Sequence, residues 1–218
     1  MKKVWIVILC AVLLCGFTAC GAEQDIRGDQ IVVDGADGKE FELGQTSGLN
    51  YENKFVGIGC NLGSDWVFYT DEQLRELNNQ TADMAGEEFQ EVMANADVVF
   101  DMQAVNADGL CNINLVLEKT PALVAATYDF QKNYEKAFPT MKTSYENMGC
   151  TDYAYTFMDL TVDGKTVDGV FNTGTLGGVK MYQKQFAVKC NGYVASITVT
   201  AMGTDATDEI LKTMYWID

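Results

Sequence analysis

Apolar and polar positions change period several times along these 218 residues, and each change marks an element. Lys2 and Lys3 precede an uninterrupted apolar run from Val4 to Leu14. A stretch that short behind two cations has the form of an export signal, residues 1–19, because a membrane span needs roughly 20 apolar residues. Residues 20–40 are mostly polar and read as a flexible tether, with Ile26, Ile31, Val32 and Val33 as the apolar relief. Asp34-Gly35 and Asp37-Gly38 are turn pairs. A calcium loop started at Asp34 would place Ala36 and Gly38 where ligand oxygens are needed, so that pattern fails.

Residues 41–218 then form one domain. Phe41 and Leu43 suggest a short strand, and Val56, Ile58, Cys60 and Leu62 alternate as a strand buried on one face does. Thr70-Asp71-Glu72-Gln73 has the form of a capping box, so a helix starts there. Its stripe runs through Leu74, Leu77, Met84, Phe89, Val92 and Met93 and is interrupted at residues 78–80 and at Gly86, which fits two short helices. Residues 98–104 and 110–117 flank Asn106-Ala107-Asp108-Gly109, a hairpin signal. Asn112 and Asn114 point away from Ile113, Leu115 and Leu117 and are expected on an exposed face, with a ligand groove as the alternative.

Thr120-Pro121 is a helix start. Leu123, Thr127, Phe130, Tyr134, Phe138, Met141, Tyr145 and Met148 carry that helix to Gly149, and Pro139 is expected to kink or split it. A meander follows, with strands at 153–162, 167–171, 179–190 and 193–201 and turns at Asp163-Gly164 and Asn191-Gly192. Residues 172–178 are rich in glycine but lack a phosphate-binding ending, so they read as a mobile loop or bulged hairpin. Residues 205–217 are expected as a closing helix capped by Thr204 or Asp205. The fold class is α+β: an antiparallel sheet meander with helices packed on it.

Charge and cysteines narrow the function. Ala19 before Cys20 resembles the lipobox of bacterial lipoproteins, which implies a lipid on Cys20 as the mature N-terminus and attachment to the cell membrane on its extracytoplasmic face. Lys2 and Lys3 leave with the leader, so 13 Lys plus Arg remain against 31 Asp plus Glu, a formal charge of −18. That field repels phosphate backbones, so nucleic acid is not an expected partner; the membrane, through the lipid, and an envelope protein are. Four cysteines follow Cys20, and free buried thiols or disulfides are both open for them, with Cys111 and Cys150 the first pair to consider. The chain has no histidine, so zinc and the common serine and cysteine catalytic arrangements lack their usual partner. No catalytic residue, metal or cofactor is expected.

Tyr51-Glu52-Asn53 before the glycine-broken strand 56–62, then Trp66, Tyr69-Thr70 and the acidic helix start, resemble a family of exported lipoproteins of Gram-positive gut bacteria. Those proteins are similar in fold to the PsbP subunits of photosystem II. The resemblance spans Tyr51 to Asp218 and implies a PsbP-like α-β-α sandwich. It suggests a non-catalytic binding or accessory module of an envelope assembly. A solute-binding lipoprotein and a carboxylate-dependent hydrolase are the alternatives. For the solute binder the candidate residues are aromatic: Trp66 and Phe68 share one strand face, as do Tyr153 and Tyr155, and a groove for a sugar or peptide forms if the two sets meet. Otherwise they fill the core.

Overall fold

The computed structural model describes residues 41–70, 72–74, 76, 98–120, 128–190 and 192–217. The leader, Cys20, the tether, the Asp-Gly pairs at 34–38, the interrupted stripe at 77–93 and the Pro121 start lie outside the described residues. Among those described, strands dominate and helices are minor. In chain order they are β1 (Gln45–Ser47), β2 (Asn50–Asn53), β3 (Ile58–Asn61), β4 (Trp66–Phe68), β5 (Val98–Asn106), β6 (Cys111–Lys119), helix α1 (Phe130–Asn147), β7 (Cys150–Val162), β8 (Lys165–Leu176), β9 (Val179–Cys190), β10 (Tyr193–Met202), helix α2 (Thr207–Leu211) and β11 (Met214–Trp216). They make two antiparallel sheets, β1-β2-β3-β11 and β4-β5-β6-β10-β9-β8-β7.

Period-two alternation gives the larger sheet two different faces. On the first, Ile113, Leu115, Leu117, Phe186, Ala195, Ile197 and Val199 share a core with Tyr51, Ile58 and Cys60 of the small sheet and with Ile210 and Leu211 of α2. On the second, α1 lies over β7 and β8, where Tyr134, Met141 and Tyr145 pack on Tyr153, Val170 and Met181. A bulge in β5 between Phe100 and Met102 fastens the two sheets together. There the Asp101 carboxylate accepts from the Gly44 N–H at 2.8 Å, from Asn53 Nδ2 at 2.5 Å and from the Tyr51 hydroxyl. Burial raises the Asp101 carboxyl against the lowering effect of those three donors.

Local chemistry explains most element ends. The Thr70 hydroxyl accepts from the Gln73 N–H at 3.3 Å while Gln73 Oε1 accepts from the Thr70 N–H at 2.9 Å, the reciprocal capping box expected. Asp163 and Gly164, both at positive φ, close the β7–β8 hairpin. Gly149, at φ 84, ends α1.

Five expectations are corrected. Asp129 caps α1 by accepting from the Lys132 N–H at 3.1 Å, so the helix begins at Phe130 and Tyr128 is not helical. Pro139 does not split α1, which is one helix to Asn147. Residues 172–176 continue β8, and Gly177 and Gly178, at φ 57 and 83, turn it into β9 as a hairpin without a bulge, so of the mobile loop or bulged hairpin expected the hairpin alone is found. The closing helix stops after five residues because Met214, Tyr215 and Trp216 form a strand on β3; Gly59 opposite Tyr215 leaves room for its ring. Phe41 is not in a strand but stacks on Tyr193 at 4.7 Å.

Candidate functional site

The aromatic residues singled out by sequence do not meet. Trp66 and Phe68 stand on β4, one edge of the seven-stranded sheet, and pack toward the small sheet, with Phe68 6.4 Å from the Tyr51 ring. Tyr153 and Tyr155 stand on β7, the opposite edge, beneath α1: Tyr153 stacks on Tyr145 at 4.1 Å, and Tyr155 lies 4.3 Å from Phe138 and 5.2 Å from Tyr134. Six strand spacings, about 29 Å, and opposite faces separate the two sets. The shared groove is therefore absent, and both sets fill core.

The cysteine pairing is corrected in the same way. Cys111 opens β6 on the first face and Cys150 opens β7 on the second, and β10, β9 and β8 lie between them. They do share one end of the sheet, but four strand spacings, about 19 Å, exceed the ~7 Å that a disulfide bridges. Cys60, Cys111, Cys150 and Cys190 are all free. Burial pushes the Cys60 and Cys190 thiols up to about 12, so they pack as small apolar groups.

The least ordinary chemistry lies on the second face of the larger sheet, where polar side chains form two cross-strand rows. In the upper row Asn172, Gln183, Thr200 and Asn112 occupy adjacent strands in register. A relay runs along it: the Tyr134 hydroxyl donates to Asn172 Oδ1 at 2.5 Å, the Tyr145 hydroxyl to Gln183 Oε1 at 3.2 Å, and Gln183 Nε2 to Thr200 Oγ1 at 3.1 Å. In the lower row Gln185, Thr198, Asn114 and Gln103 are likewise in register. Here Gln185 Nε2 donates to Thr198 Oγ1 at 2.9 Å, and the bonding then stops.

Gln103 and Asn114 are each 1% exposed, face each other across β5 and β6, and have no hydrogen-bond partner on either amide atom among the described residues. Glu118, further along β6 on the same face, is also 1% exposed, and its Oε2 has no partner among the described residues. Burial pushes its carboxyl up to about 7. Together with Asp129, Glu118 adds a smaller upward push to the Tyr128 hydroxyl, which burial raises most. Beyond the lower row, toward the start of α1, lies a cleft of about 700 Å³ lined by Tyr128, Asp129, Phe130, Gln131, Val167, Asp168, Ala187 and Lys189.

The expectation that Asn112 and Asn114 are solvated is thus overturned, since both are buried. Gln103, Asn172, Gln183 and Gln185 were not singled out by sequence. The usable signal is the alternation of Gln183 and Gln185 with Tyr182, Lys184 and Phe186, in a strand whose neighbour carries Thr198 and Thr200 in register. Chemically the rows offer uncharged amide and hydroxyl donors and acceptors. Among the described residues, no three metal-ligating side chains converge.

No protein-family model matches the chain, and no curated protein matches it in sequence. Among solved structures, it is similar to LpqN, a protein involved in cell envelope biogenesis of Mycobacterium tuberculosis, at 12% identity over 74% of this chain and 83% of LpqN, with a TM-score of 0.41. It is also similar to a protein of Bacteroides thetaiotaomicron VPI-5482 at 11% identity over 74% of this chain, with a TM-score of 0.40. The match spans 46% of the Bacteroides protein.

Proposed function

We propose that this chain is a lipoprotein of the cell envelope, anchored through Cys20 on the extracytoplasmic face, and that residues 41–218 are a non-catalytic binding module. The leader and the Ala19-Cys20 step support the anchor. The finer fold reading is a PsbP-like α-β-α sandwich, supported by α1 on one face of the seven-stranded sheet and α2 with the small sheet on the other.

One observation carries the binding reading: the buried amides of Gln103 and Asn114, with four polar atoms unmatched. An unsatisfied buried polar group costs about 1–3 kcal/mol, and two apolar residues of similar size would avoid that cost. We read these amides as held for a ligand. The ligand they suit is a neutral, hydroxyl- or amide-bearing molecule, because carboxamides both donate and accept without charge.

Native mass spectrometry of the full protein extracted from membranes in mild detergent, set against its denatured mass, tests this. An extra non-covalent mass is expected for the wild type. The double variant Gln103→Met/Asn114→Leu is expected to lose that mass and to melt higher. No extra mass, together with a double variant that melts lower, overturns the reading in favour of a structural role for the two amides.

A further inference from the structure

The longest unpaired edge among the described residues is β7. Thirteen residues long, it pairs with β8 on one side and with no described strand on the other. Long edges invite pairing with another chain, and folds guard them with short strands, lysine, proline or bulges. The other outer strands, β1, β4 and β11, are three residues each. β7 has no lysine, arginine or proline. Its bulge lies between Thr151 and Ala154, and from Ala154 to Val162 the register with β8 is unbroken. In that stretch Asp159 is the only charged residue.

The surfaces beside the edge are apolar on both faces. Under α1, Tyr155, Phe157 and Phe138 are only half-buried, and on the opposite face Met158 is 38% exposed. Ring surface therefore continues up to a row of backbone donors and acceptors that no described strand pairs, at whose end the Val162 carbonyl accepts from Trp216 Nε1 at 2.8 Å.

We infer that β7 is a homodimer edge, pairing antiparallel with β7 of a second copy so that the two larger sheets become one. The strand is complementary to itself. With Phe157 on the two-fold axis, Thr156 meets Met158 of the copy, Tyr155 meets Asp159, and Ala154 meets Leu160. Ring faces ring at the centre, and the two Asp159 carboxylates are kept apart, as cross-strand pairing favours. The paired length, seven residues from Ala154 to Leu160, is about 24 Å. Two strongly acidic chains repel at long range, so the dimer tightens as salt screens them, the reverse of an association driven by opposite charges.

Two measurements on the full chain test this. In sedimentation velocity with detergent, wild-type protein is expected as two chains per particle, with the dissociation constant falling several-fold as NaCl rises from ~0.05 M to ~0.5 M. Thr156→Lys/Met158→Lys, which places lysine opposite lysine at exposed positions, is expected to give single chains while melting like the wild type. In co-expressing cells, a Thr156→Cys chain and a Met158→Cys chain are expected to form a disulfide-linked pair on oxidation, and a Thr156→Cys chain with a Val67→Cys chain none. Single chains at every salt concentration, a dimer unmoved by the two lysines, or a cross-link from β7 to a different protein would each overturn the proposal.

Discussion

At the scale of single residues, the unusual feature is how much polar chemistry is buried against the second face of the larger sheet. Glu118 shows the consequence most directly. Its carboxyl rises from 4.5 to about 7 through burial, so the folded state holds its proton more tightly than the unfolded chain does. Below ~4.5 the group is protonated in both states and nothing is lost. As pH rises from ~4.5 to ~7 the unfolded chain releases the proton first, and stability falls; above ~7 the folded protein carries a buried carboxylate at full cost. A shift of that size corresponds to an upper bound of about 3 kcal/mol. Glu118→Gln is expected to flatten stability over this window and to raise it by about 1–3 kcal/mol at pH 8, read from urea midpoints at pH 4.5 and pH 8. A variant that keeps the wild-type slope would place the titration elsewhere.

At the scale of elements, alternation in sequence located β6, β7, β9 and β10 closely, and Asp163-Gly164 and Asn106–Gly109 located two hairpins. What alternation could not tell was which face of a strand meets water. Asn112, Asn114, Thr198 and Thr200 look like a solvated face because polarity is the only cue, yet their cross-strand partners are themselves amides and hydroxyls. The C-terminal strand failed for another reason. Ile210, Leu211 and Met214 are spaced as on a helix and all three are buried, but β3 offers Met214, Tyr215 and Trp216 a ladder of backbone hydrogen bonds, a non-local gain that no local period encodes. Gly59 makes this arrangement testable. A Cβ there would lie 2.7 Å from the Tyr215 ring and 2.8 Å from the Tyr51 carbonyl oxygen, which belongs to the backbone and cannot swing away. Gly59→Ala is expected to destabilise by about 1–3 kcal/mol in chemical denaturation, and Gly48→Ala, where a Cβ meets nothing within 4 Å but φ is +62, by about 1 kcal/mol. Equal losses at the two positions would mean that β11 does not pack on β3.

At the scale of the whole molecule, the acidic charge and the proposed lipid anchor would act in opposite directions. The formal charge of −18 after the leader pushes the domain away from an anionic bilayer. The proposed lipid on Cys20, with two acyl chains, would hold it there with on the order of 20 kcal/mol, at about 0.8 kcal/mol per buried methylene. On that proposal the apolar gain would dominate, because electrostatic repulsion fades beyond a Debye length of ~10 Å. Attachment is therefore expected to survive both high salt and alkaline carbonate washes, which strip proteins held by charge. The intact mass of the extracted protein is expected to match a chain beginning at Cys20 plus a diacylglycerol. Cys20→Ala is expected to lose the lipid and retain residues 1–19. A wild-type chain that washes off at high salt, or one whose mass carries no lipid, would remove the anchor and leave the acidic domain as a secreted protein.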